Sequence, residues 1–296
     1  MTALDGPAIV RAPQHLRGTG SIVRRRTAVV LKYLSLVLAS AVVLVPLVAV
    51  LLTSLRTSDE MADGGALAAP HHWFNLHNYA VAFTDGHMLR ALGNTSFILV
   101  FSVLGTVLIG SMTAYAIDRF PFRCKKLVMA LFLIASLVPS VTTQVATYQI
   151  VNRLGVMDTR WAPVLLYMGT DIVSIYIFLQ FIRSIPVSLD EAARLDGANS
   201  FTIYRRIILP LLKPAIATVV IVKGVAIYND FYIPFLYMPD DNLGTISTSL
   251  FRFKGPYGAH WEVISAGAAL VIVPSLVVFL ALQRFIYNGF ASGATK

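Results

Sequence analysis

Residues 188–214 read SLDEAARLDGANSFTIYRRIILPLLKP, the longest polar interval in the second half of the chain, set between two apolar blocks. Ser188 and Glu191 have the S-x-x-E spacing of a capping box, which predicts a helix start: each side chain would accept from the other residue's backbone amide. Pro186 marks the upstream boundary. Ala192 and Ala193 favour a helix and carry almost no side chain, so the backbone there can approach a partner closely. Gly197 permits the turn that ends this helix, residues 201–208 restart helically, and Pro210 and Pro214 close the segment. The interval is predicted to be a short helical hairpin.

The flanking sequence makes this a membrane hairpin. Of 296 residues, 56% are hydrophobic and 13% charged, against about 45–50% and about 25% in soluble domains. The apolar residues gather into blocks near the length that a hydrocarbon core of about 30 Å demands of a helix. They run over Val29–Leu52, Ala91–Ile117, Leu127–Ile150, Ala162–Ile182, Pro214–Tyr237 and Val263–Ile286. The expected fold is an all-α integral membrane domain with six transmembrane helices over 29–290, a mobile basic tail over 1–28 and a short C-terminal tail over 291–296. The first block follows Arg24–Arg26 but is too long for a signal peptide, and no small-residue cleavage site clearly follows it; it reads as a retained span.

The net charge is +9, and its placement orients the spans. The N-terminal tail, the second loop (Arg119, Arg123, Lys125, Lys126), the fourth loop (Arg183, Arg194, Arg205, Arg206, Lys213) and the C-terminus hold 17 of the 24 Lys and Arg, and the odd loops hold six. The positive-inside rule then predicts that both termini and residues 188–214 are cytoplasmic. The same charges account for the basic character without nucleic acid, which is excluded as a partner. Cys124, the single cysteine, has no partner for an internal disulfide and reads as structural. His71, His72 and His77 lie in an external aromatic segment, HHWFNLHNYAVAF; with no cysteine or close carboxylate beside them they read as interfacial packing, not metal ligands. Pro46, Pro139, Pro234 and Pro274 fall inside spans, where each removes a donor and bends its helix; packing geometry and a cavity that opens and closes both explain them.

Glu191-Ala192-Ala193, Gly197, nine further residues and Ile207-x-Leu209-Pro210 resemble the EAA motif of permease subunits of bacterial ABC importers. AYAIDRFPF (114–122), LGVMDTRWAPVLLY (154–167), YNDFYIPF (228–235) and QRFIYNGFASGATK (283–296) resemble the carbohydrate-uptake branch, in the subfamily similar to the maltose-transporter G subunit. The likeness runs from the first span to the C-terminus and says nothing of the basic N-terminal tail. It implies a type I ABC importer permease fold in the bacterial inner membrane, with 186–214 as the coupling loop between spans four and five. It also implies Glu191 as a polar anchor to a cytoplasmic ATPase, Ala192 and Ala193 as the close-packing face, and Gly197 as the turn, with Asp196, Ile207, Leu209 and Pro210 completing the coupling set.

No Walker A sequence occurs in the chain, so no catalytic site or bound cofactor is expected, and ATP with magnesium would be used by a separate subunit. The expected partners are a second permease subunit, an ATPase dimer, an extracytoplasmic substrate-binding protein and the lipid bilayer. Near the outer end of span five, Tyr228, Asn229, Asp230, Phe231 and Tyr232 combine aromatic faces with amide and carboxylate groups, which suits a sugar. An interfacial aromatic belt with a capped helix end explains the same residues, and both readings stay open. Asp171 and Lys223 each lie nine residues into their spans, about 14 Å deep. Charges at that depth pair or line wet cavities, so either a mutual pair across spans four and five or two separate watery pockets is expected. The substrate is expected to be a di- or oligosaccharide, with glycerol-3-phosphate or a related sugar phosphate as the alternative. A secondary transporter or channel is the competing class, but no internal repeat is evident and the hairpin would have no role there.

Overall fold

A computed structural model describes residues 19–65, 67–169, 171–255 and 258–294, which are predominantly helical. The chain divides into two compact units, 1–49 and 50–296. The first is built on α1 (Thr19–Ser54), which contains Pro46 without interruption. Residues 19–28, expected within the N-terminal tail, are helical and continuous with α1. No proline follows Pro13 there, and the run Arg24–Arg26 has high helix propensity. Residues 1–18 of that tail lie outside the described residues.

The second unit continues through α2 (Ser58–Asp63), α3 (His77–Thr84), α4 (Met88–Arg119), α5 (Lys125–Leu137), α6 (Ser140–Arg153), α7 (Trp161–Met168), α8 (Ile172–Ser184) and α9 (Ser188–Leu195). Then come α10 (Ser200–Ile203), a π-helical turn over Tyr204–Ile208, α11 (Leu209–Leu211), α12 (Lys213–Asn229), α13 (Tyr232–Tyr237), α14 (Ile246–Ser249) and α15 (Trp261–Ala294). Residues 291–294, expected as a tail, continue α15; residues 295–296 lie outside the described residues. A two-stranded hairpin, β1 (Lys254–Gly255) against β2 (Gly258–Ala259), precedes α15.

The centre of this unit is α4, against which α7, α8 and α12 pack. Ser102, Thr106, Gly110 and Ala114 recur every fourth residue and are all buried. Small side chains at that spacing form a smooth stripe, which lets helices approach closely where no hydrophobic force drives them together. Gly105 and Gly110 mark the tightest points: an added Cβ would lie 2.7 Å from Met168 Cβ at the first and 3.3 Å from the Phe178 ring at the second. Gly105→Val is therefore expected to cost about 1–3 kcal/mol through overpacking, read as a lower unfolding temperature of the detergent-purified protein.

Among the described residues two helical stretches, Thr27–Ser54 and Met88–Arg119, are each long and apolar enough to cross a bilayer, and the number rises to five if each of three bent pairs counts as one span. The pairs are α5 with α6, α7 with α8, and Ser200–Leu211 with α12, the last bent by 72°. A shorter apolar stretch covers Trp261–Val277. Proline chemistry accounts for several of these divisions. Pro139 caps α6 in an extended conformation. In a continued fifth span, the ring of Pro234 would clash with the carbonyl of Asp230, four residues back. The chain breaks there instead, so α12 ends at Asn229 and the expected block to Tyr237 splits in two. The freed Asp230 carbonyl accepts from Ser247 Oγ at 2.6 Å. Pro274, by contrast, stays inside α15.

Candidate functional site

The polar interval folds as the expected hairpin, but its first helix starts differently. Val187 is the cap of α9 and is itself helical, with φ −63° and ψ −27°. Its carbonyl accepts from the amides of Asp190 and Glu191, at 2.9 and 3.1 Å. Ser188 is thus already inside the helix, and the capping box with Glu191 does not form. The cause lies upstream: Pro186 fixes its own φ near the helical value and supplies the carbonyl that accepts from Leu189.

The other end follows the glycine rule closely. Gly197 sits at φ +82°, its amide donates to the Arg194 carbonyl at 3.0 Å, and the Ala198 amide donates to the Ala193 carbonyl at 2.9 Å. This is the paired bonding of a Schellman cap, which needs a left-handed residue at that position. Asn199 then caps α10, its Oδ1 accepting from the Thr202 amide at 2.8 Å. Pro210 lacks an amide, and the Leu209 amide just before it reaches five residues back to the Tyr204 carbonyl, which widens the turn into a π-helix.

The helix α9 has two faces. Glu191, Ala192, Leu195 and Asp196 are exposed, whereas Ala193 and Asp190 are buried. The two alanines, expected on one packing face, point apart. Ala193 joins a core with Ile182, Ile203, Tyr204 and Ile208 of its own chain, so its small size serves internal packing, while Ala192 faces out. Ile207 and Leu209 are half-buried against that core, and Gly197 and Pro210 are exposed.

Asp190 has a role that sequence reasoning missed. Its carboxylate is 1% exposed and lies 2.7 Å from Nε of Arg119, itself 5% exposed. Arg119 Nη2 donates to the carbonyls of Ile182 and Ile185 at 3.3 and 2.7 Å, and Nη1 to Asp118 at 3.2 Å. Arg183 lies 3.6 Å from the other oxygen of Asp118. On the same side of α4, the Ser111 and Tyr204 hydroxyls are 2.8 Å apart, and Tyr115 Oη donates to the Ser200 carbonyl at 3.5 Å. Ser111, Tyr115 and Arg119 are spaced by four, a polar stripe in an apolar helix that was visible in the sequence.

Deeper in the unit, Lys223 Nζ lies 3.2 Å from Asp171 Oδ1, with both side chains less than one-fifth exposed. Asp171 stands at the break between α7 and α8 as the cap residue of α8, and accepts from the Ser174 hydroxyl. Of the two arrangements left open for these charges, they adopt the mutual pair.

In the span-five cluster, Asp230, the residue that ends α12, accepts from the amides of Tyr232 and Ile233 at the start of α13, at 2.8 and 3.3 Å, and from Tyr167 Oη at 2.8 Å. Tyr228 Oη donates to the Val271 carbonyl at 2.7 Å, and Phe231 stacks on Phe235 with centroids 5.0 Å apart. Asn229 donates to the Val225 carbonyl and, like Tyr232, remains exposed. Tyr167, unnoticed in the sequence, ties α7 to this corner. Among the external histidines, His71 Nδ1 meets Glu60 at 2.8 Å, a carboxylate the sequence spacing did not bring near it. Among the described residues no three such ligands gather around one point.

Comparison with known proteins gives these arrangements a context. Residues 106–291 match the family described as binding-protein-dependent transport system inner membrane component. A melibiose/raffinose/stachyose import permease protein of Bacillus subtilis (strain 168) is 30% identical, over 85% of this chain and 91% of that one. A galactooligosaccharides transport system permease protein of the same organism is 29% identical, over 93% and 98%. Among solved structures, a chain of a bacterial ABC transporter involved in the import of the acidic polysaccharide alginate superposes with a TM-score of 0.76 at 19% identity, covering 92% of this chain and 99% of that one.

Proposed function

The chain belongs to the family of binding-protein-dependent transport system inner membrane components, and from that premise we propose that it is one of two permease subunits of an ATP-driven importer for a di- or oligosaccharide. It is a non-catalytic subunit. An ATPase dimer hydrolyses ATP with magnesium on the cytoplasmic side, and an extracytoplasmic binding protein delivers the sugar. The chain crosses the membrane six times, α15 being the sixth crossing, with both termini in the cytoplasm. Its hairpin at 188–214 docks in the ATPase, with Glu191 as anchor, Ala192 on the docking face, and Asp196, Gly197, Ile207, Leu209 and Pro210 holding the hairpin's shape.

The observation that carries this reading is the division of α9 into a buried face fixed to the core and a free face bearing Glu191, Ala192 and Leu195. A solvated loop has no reason to bury an ion pair on one side and expose a leucine at 90% on the other. A neutral sugar is supported by the relatives, whose named substrates are oligosaccharides. The exposed Asn229 and Tyr232 offer an amide and an aromatic face of the kind a sugar contacts.

One observation favours a secondary transporter: a carboxylate, Asp171, stands at the start of a half-helix where α7 and α8 break. A single scheme separates the two. The chain is purified in mild detergent, its partners are named by mass spectrometry, and ATP hydrolysis by the complex is measured with the recovered binding protein and melibiose, raffinose, stachyose or glycerol-3-phosphate. We expect an ATPase and a second permease to copurify and a neutral sugar to stimulate hydrolysis. Stimulation by glycerol-3-phosphate alone would refute the sugar assignment. Ion-driven uptake by the chain without an ATPase would refute the importer assignment.

A further inference from the structure

The hidden face of α9 carries the stronger constraint. Among the described residues Asp190 has one ion-pair partner within 4 Å, Arg119, and neither carboxylate oxygen has an aligned hydrogen bond. Its direct ion-pair partner is therefore that guanidinium, and a buried charge that loses its partner is strongly disfavoured. The same guanidinium donates to the carbonyls of Ile182 and Ile185, at the end of α8, where a helix leaves its last carbonyls without intrahelical partners. One side chain thus joins the ends of α4 and α8 to the first turn of α9. Four and eight residues earlier on α4, Tyr115 and Ser111 hold the hairpin's second leg at Ser200 and Tyr204. Since α4 is the helix on which α7, α8 and α12 pack, α9 cannot shift alone without unpairing Asp190.

We propose that Arg119 is a positioning residue for coupling: the Arg119–Asp190 pair makes α9 and α4 move as one body, so that displacement of the hairpin by the ATPase is delivered to the centre of the transmembrane unit. The inference rests on the reading of α9 as the ATPase-docking helix. Lysine in place of Arg119 keeps a charge beside Asp190 but has one nitrogen where the guanidinium uses three, so it cannot hold Asp190 as Nε does, the two carbonyls as Nη2 does and Asp118 as Nη1 does all at once. The double change Arg119→Met with Asp190→Leu removes both charges and leaves none unpaired.

The test uses the assembled importer, both permeases with the ATPase, in lipid nanodiscs and a Cys124→Ser background. A photo-crosslinking residue at the exposed Leu195 reads docking. Spin labels at Leu195→Cys and Leu89→Cys, both exposed, read the separation of α9 from the outer end of α4 with and without trapping by Mg·ATP and vanadate, which leaves Mg·ADP and vanadate in the ATPase. With Arg119 and Asp190 in place, Leu195 should crosslink to the ATPase and the inter-label distance should keep its position and width on trapping. In Arg119→Lys and in the double variant, crosslinking should persist while the trapped distance distribution shifts and broadens. If both variants keep the unaltered distribution, or if the distance already changes in the unsubstituted protein, the rigid-link inference is wrong even though docking stands. If Leu195 does not crosslink to the ATPase in the unsubstituted protein, the docking reading itself fails, and the link with it.

Discussion

Replacing Gly197 by aspartate is expected to abolish sugar uptake while leaving the protein in the membrane at close to its normal amount. The residue stands at φ +82°, and an added Cβ would meet no atom within 4 Å. The cost is therefore backbone strain alone, about 1–2 kcal/mol, too little to unfold a membrane domain whose helices pack elsewhere. It falls entirely on the Schellman turn that sets the angle between α9 and α10. Relaxing that strain means reorienting α9, and with it the Glu191 face. Gly197→Asn separates geometry from charge, because asparagine tolerates the left-handed region best among non-glycine residues; it should retain more uptake than Gly197→Asp. Ala193→Asp should be more damaging. It places a carboxylate in a buried core, three residues along the same helical face from Asp190, at a cost of about 1–3 kcal/mol or more for an unsatisfied buried group. Uptake and ATPase stimulation equal to those of the unsubstituted protein in either aspartate variant would overturn the role assigned to the hairpin.

Much of this arrangement was legible in the sequence. Hydropathy located the apolar blocks because the bilayer imposes one length on all of them, and Gly197 announced its turn because few other residues occupy that conformation. Breaks inside spans were harder to see. A proline signals lost hydrogen bonding, yet Pro46 and Pro274 stay within helices while Pro139 and Pro234 accompany breaks. At Pro234 the freed Asp230 carbonyl is taken by a hydroxyl from Ser247, 17 residues downstream, and no local window contains that contact. The capping box at Ser188 was a sound local motif overruled by its neighbour, since Pro186 started the helix one position early. Arg119 and Asp190 were missed because topology rules count Arg119 as a cytoplasmic charge and motif matching stops at Glu191. Their meeting joins residues 71 positions apart, and only packing reveals that both are buried.

Lys223→Met is expected to lower the yield of folded protein, because it leaves the Asp171 carboxylate without its partner. The pair lies 3.2 Å apart with side chains 19% and 16% exposed, so it falls between a surface pair worth about 0–1 kcal/mol and a fully buried one whose breakage costs about 3–5 kcal/mol. A loss of roughly 2–3 kcal/mol is therefore expected, softened by the Ser174 hydroxyl that still bonds Asp171. Asp171→Asn alone should be milder, since the asparagine can keep the bond from Ser174, while the flexible lysine stem can carry its charge toward water. The double variant Asp171→Asn with Lys223→Met should recover most of the lost stability, as no uncompensated charge remains. Thermal unfolding of the four proteins in detergent gives the coupling energy directly. A cycle that closes with no coupling would mean that the two charges are solvated separately. If stability recovers in the double variant but uptake does not, the pair also serves transport, by holding the broken fourth span against α12 as the pathway opens and closes.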